Sequence, residues 1–126
     1  MKLFLAVSAV LAFVFGFALL FISSSFYAPM GIVVTPAIAV TAQTQGAILV
    51  GIGVLNWTAR SLPPPSLRPV LVGNLVVQAL SLAVVSRALV LHIVPVQNAG
   101  AVVVHTVLGA GFAYYLVRSS RTTPTL

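Results

Sequence analysis

Apolar residues dominate four stretches of the chain, residues 3–22, 40–60, 67–92 and 97–117, and the polar residues inside them recur at helical spacing. A membrane helix needs about 20 mainly apolar residues to cross about 30 Å of hydrocarbon. Each stretch meets that length, so the pattern predicts an all-α, integral membrane four-helix bundle formed as a single domain. The connection over residues 23–39 is uncharged and carries Pro29 and Pro36; its apolar character predicts that it lies on the membrane surface or covers the bundle. Residues 61–66 read as a tight turn, because Pro63, Pro64 and Pro65 cannot continue a helix and Ser66 can cap the next one. Residues 93–98 make a short turn, and the polar tail at 118–126 is expected to fray. A secretory signal is the other reading of the first stretch, but its apolar run is too long for one. Phe26-Tyr27-Ala28 is also a poor cleavage site, so the stretch is read as a retained helix.

The polar positions form stripes at about 100° per residue. In the third span Asn74, Gln78, Ser81 and His92 share a sector, with Arg87 facing away; in the second, Thr41, Gln45 and Asn56 do; in the fourth, Asn98, Ala101, His105 and Gly109. Such stripes are expected to face the bundle interior, where side chains find partners that lipid does not offer. Depth counted at about 1.5 Å per residue from the arginines, and from Lys2 for the first span, puts Ser8, Asn56 and Asn74 in one layer and Gln45, Ser81 and His105 in another. Small residues four apart, Ala42/Gly46, Ala47/Gly51 and the Ala101, His105, Gly109 series, allow close helix approach.

Composition agrees: 60% of the residues are hydrophobic and 5% charged, against about 25% charged in soluble domains. The chain has no aspartate or glutamate, and its six cations are Lys2, Arg60, Arg68, Arg87, Arg118 and Arg121. All but Arg87 fall on one side of a hairpin array, which by the bias of Lys and Arg toward cytoplasmic loops puts both termini and the proline turn in the cytoplasm. The bacterial inner (cytoplasmic) membrane is the expected location, with lipid headgroups as counter-ions. Arg87, about 30 Å along its helix from Leu67, can reach the outer headgroups. Scattered cations form no basic patch, so nucleic acid is not an expected partner. The Asn56-Trp57-Thr58 acceptor pattern falls about one turn inside the membrane and reads as a chance match, since glycosylation needs an exposed site.

The missing residue types exclude much chemistry. Without carboxylates or cysteines there is no acid/base pair, acidic metal site, thiol nucleophile or disulfide, and serines without an Asp-oriented His make a hydrolase a poor reading. No catalytic residue and no multi-residue metal site is expected. Asn56, Asn74 and Gln78 read as interhelical packing groups, worth about 0.6 to 2 kcal/mol per contact. His105 is different, because ionisable residues deep in a membrane default to functional hypotheses. It is either a neutral core histidine bonded to Gln45 or Ser81, or, with those two as polar contacts, part of a site for a quinone, carotenoid, haem or chlorophyll-type ligand. His92 reads as solvated at the interface.

The runs GAILVGIGVLNWTAR, RPVLVGNLVVQALSLAV and HTVLGAGFAYYLV together resemble small bacterial four-helix membrane proteins of the DoxX-like, uncharacterised type. The resemblance covers roughly residues 45–117 and implies the four-helix bundle, with Asn56, Trp57, Arg60, Gly73, Asn74, Gly109, Phe112 and Tyr114 as family positions. It implies no particular activity. The sequence therefore leads to two expectations: a non-catalytic accessory or structural subunit packing against other membrane protein subunits, or a small binding protein for a lipophile.

Overall fold

The computed structural model describes residues 1–120; Arg121 and the rest of the polar tail lie outside the described residues. Helix α1 spans Lys2–Phe21, a short α2 spans Ser23–Tyr27, α3 spans Pro36–Ala59, α4 spans Pro64–Val90 and α5 spans Ala99–Ser120. Single 3-10 turns at Ala28–Met30 and Val96–Asn98 precede α3 and α5. Four helices, α1, α3, α4 and the fourth counted from Val96, are long and apolar enough to cross a membrane, and the described residues contain no strand. An all-helical chain with four such helices is consistent with a multi-pass membrane protein.

Helix ends follow turn chemistry more closely than hydropathy. α3 begins four residues earlier than the apolar run, because Thr35 Oγ1 accepts from the Ile38 N–H at 3.3 Å and Pro36 occupies the first helical position, where its missing N–H is harmless. The same logic corrects the expected start of α4. Pro63 is its N-cap, Pro64 and Pro65 open the helix, and Ser66 lies within the first turn; Ser66 therefore does not cap. The far end of α4 is also corrected. His92 does not extend the polar stripe, but sits just past the helix at φ 54, its N–H on the Leu89 carbonyl while that of Ile93 reaches Ala88. This paired closure is a Schellman ending, with histidine in the left-handed position that glycine usually takes. Gly31, at φ 70, ends the Ala28–Met30 turn in the same way.

The helices pack as two pairs, α1 on α3 and α4 on α5, and α3 meets α4 over a short stretch only. The first pair crosses on small residues. A Cβ at Gly46 would stand 2.7 Å from the Gly16 carbonyl oxygen, and one at Gly53 would press on the Phe13 ring at 2.8 Å. Backbone approach of this kind is how membrane helices gain packing without a hydrophobic drive between them. Ala47 and Gly51 face outward, and nothing lies within 4 Å of a Cβ built at Gly51.

All four long helices come together at one end, around Leu5, Ala59, Leu67, Leu71 and Phe112. The Phe4 ring seats against Gly111 and meets Phe112 edge-on, with centroids 4.9 Å apart. This is also the basic end. The Arg60 guanidinium lies 3.4 Å from the Trp57 ring centroid, a cation–π contact, and Arg118 donates to the Tyr114 hydroxyl at 3.1 Å. Toward the other end the pairs separate, and the connection between α1 and α3 covers the gap, Phe26 against Phe15 and Gly31 beside Pro95.

Candidate functional site

Where the pairs part they enclose a cleft of about 610 Å³, within the usual range of small-molecule sites, about 300 to 1,000 Å³. Its walls are apolar, Leu11, Phe15, Leu49 and Ile52 on the α1/α3 side facing Val77, Val84, Val104 and Leu108 on the α4/α5 side. Ser8 and Asn74 lie at its basic end; Phe26, Tyr27 and Met30 close the opposite one. Burial raises the pKa of the Tyr27 phenol, which therefore stays neutral and able to donate. Among the described residues no lysine or arginine lines the cleft.

At the basic end Asn56, which is 0% exposed, donates to Ser8 Oγ at 3.1 Å and to Asn74 Oδ1 at 3.0 Å. Asn74 donates back to Asn56 Oδ1 at 2.8 Å, and to the Val70 carbonyl at 2.9 Å. Both amide hydrogens of each asparagine are thereby used. Three helices are tied by one closed network, in the layer that the depth count puts together. The burial of Asn56 also removes it from any glycosylating surface.

The second layer is arranged differently from the sequence expectation. His105 Nδ1 lies 2.7 Å from Gln78 Oε1, so its partner is neither Gln45 nor Ser81. The pairing accounts for Gln45, since α5 lies against α4 while α3 packs on α1; Ser81 is on α4 as well, and there the longer Gln78 side chain makes the contact. Gln45 is exposed at residue level yet lines the cleft, as do Ser81 and His105; the three face one cavity without bonding to one another. Thr41 leaves the expected stripe as well. It is exposed and donates to its own helix at the Ala37 carbonyl, 3.1 Å away, a back-bond that satisfies the hydroxyl locally.

A carboxamide oxygen can only accept, so the proton of the neutral His105 ring sits on Nδ1 and the lone pair on Nε2. Gln78, 8% exposed, keeps both amide hydrogens uncommitted. Among the described residues no polar side-chain atom is both sealed away and unpartnered, so these groups open onto the cleft. The pair offers one acceptor and a donor group in a cavity whose other polar lining comes mainly from Gln45, Ser81, Asn98 and Tyr27, with Ser8 and Asn74 at its basic end. Among the described residues no three His, Cys, Asp or Glu side chains converge, which leaves His105 a single imidazole.

The sequence points to the polar residues of the cleft but not to its walls, which are ordinary Leu, Val and Phe with no signature of their own. Comparison with protein-family models, with curated proteins and with solved structures gives no match.

Proposed function

We propose that this chain is a multi-pass protein of the bacterial cytoplasmic membrane that binds one uncharged lipophilic molecule between its two helix pairs, with both termini cytoplasmic. It performs no catalysis on that molecule. The observation that carries this reading is the 610 Å³ cleft with apolar walls and an unsaturated polar pair. A well-formed apolar cavity with a few convergent polar groups is the usual form of a small-molecule site. The absence of a lining cation among the described residues favours a neutral ligand, since the carboxylates of a haem would lack a counter-charge there. A quinone, a carotenoid or another neutral isoprenoid suits the walls better. Arg60 with Trp57, and Arg118 with Tyr114, support the cytoplasmic assignment of the basic end as interfacial anchors.

Organic extraction of the purified protein tests the reading. The expected result is one compound class enriched over the surrounding membrane, at about one molecule per chain. An extract with bulk-membrane composition would overturn it. An absorption spectrum of the same sample separates pigments from colourless lipophiles.

A second reading, packing as an accessory subunit against a larger membrane assembly, is favoured by the outward face of Ala47 and Gly51. Co-purification of other subunits at fixed stoichiometry, lost in Gly51→Leu, is its expected sign. The likeness to DoxX-like proteins is compatible with either reading.

A further inference from the structure

The cleft has walls on all four long helices, but its exposed lining is confined to two of them. Ile48 on α3 and Leu80 and Val84 on α4 are 53%, 63% and 68% exposed and yet line it, and Gln45 on α3 is exposed beside them. No residue that α1, α5 or the connection between α1 and α3 contributes to the lining is exposed. The far end is capped by Phe26, Tyr27 and Met30, and the basic end by the asparagine network and the core around Phe112. Among the described residues, the edge between α3 and α4 is what is left open. These two helices meet over a short stretch only, and the Asn56 and Asn74 amides tie them at the basic end.

We infer that the cleft exchanges its ligand sideways with the bilayer, through a mouth between α3 and α4 rimmed by Ile48, Leu80 and Val84, and draws it from the leaflet farther from the basic end. This inference rests on the cleft being a ligand site in a membrane-spanning chain. Ile48 and Leu80 each stand about 18 Å along the helix from the arginine at its basic end, Arg60 and Arg68. Val84 stands about 24 Å from Arg68, so the rim lies beyond the middle of about 30 Å of hydrocarbon. A lipophile leaves water for acyl chains, and a mouth in the hydrocarbon meets it where it is concentrated. Gln45 fits the same picture. An amide facing lipid tails finds no hydrogen-bond partner among them. At a mouth it meets the polar end of each molecule that passes, whichever hydrogen-bonding group that is, because an amide both donates and accepts.

The test is the exchange of bound decylubiquinone, an uncharged quinone, for its deuterated form on the full chain in detergent micelles, followed by rapid-mixing native mass spectrometry. Ile48→Trp and Leu80→Trp are expected to slow loading and release together, each by roughly 10-fold, with the affinity kept. Leu80→Ala is expected to speed both, so the test stands even where a tryptophan variant fails to fold. Two further positions are exposed and do not line the cleft. Leu55→Trp, on the Ile48 face of α3 about two turns nearer the basic end, and Val107→Trp on α5 are expected to exchange at the natural rate. Natural rates in the rim variants, or a loss of affinity without slowing, would overturn the mouth while leaving the cleft as a ligand site. Slowing by Leu55→Trp equal to that at the rim would overturn the choice of leaflet. No binding of decylubiquinone to the unaltered chain would count against both the mouth and the site.

Discussion

At the scale of single residues, the reciprocal amide pair is the interaction whose loss should be most visible. Asn74→Leu leaves the buried Asn56 amide without its partner, a loss of about 1–3 kcal/mol. Asn56→Leu/Asn74→Leu together remove both polar groups and should cost clearly less than the two single changes added. Unfolding in mixed detergent micelles measures all three, and additivity of the singles would show the pair to be energetically idle. This layer was legible in the sequence because the rise per residue is fixed, so counting from Lys2 and the arginines puts Ser8, Asn56 and Asn74 at one level. The partner of His105 was not legible. Gln45, Ser81 and His105 come out level by the same count, but level residues bond only if their helices touch, and Gln45 is on α3, which packs on α1 while α5 packs on α4; Ser81, on α4, is passed over for Gln78. A glutamine side chain spans the turn that separates Gln78 from that level, and the count ignores this reach.

Helices obey two different constraints in this chain, one in their middles and one at their ends. In the middles, the crossing of α1 and α3 depends on glycine: Gly46→Leu drives a side chain into the Gly16 backbone and should destabilise by about 1–3 kcal/mol. Gly51→Ala, facing open space, should leave the unfolding midpoint unchanged. At the ends, His92→Gly should be tolerated, because glycine adopts the left-handed geometry freely. His92→Val should cost about 1–2 kcal/mol, since a β-branched residue at φ 54 is strained; a stable Val variant would contradict the helix ending described for α4. The four long helices could be read from hydropathy, but their ends could not. Thr35 followed by Pro36 is a helix-start signal outside the apolar run, and the polyproline stretch both closes one turn and opens α4.

The whole molecule is two helix pairs, closed at the basic end and parted at the other. Hydropathy cannot show this division, because lipid-facing and cleft-facing positions are equally apolar and only packing tells them apart. Cysteines introduced one at a time at Lys2, Arg60 and Arg118 of this cysteine-free chain should react with a membrane-impermeant reagent from the same, cytoplasmic side. Labelling of Lys2 and Arg60 positions from opposite sides would break the proposed topology. The central claim is that the space between the pairs holds a molecule. Leu49 and Val104 line it from opposite walls, so Leu49→Trp/Val104→Trp fills the cleft while sparing the core at the basic end. Native mass spectrometry of the two proteins is the most direct measurement. The account predicts a single discrete adduct on the natural chain, absent from the filled variant; identical bare masses, or an adduct that survives the filling, would contradict it.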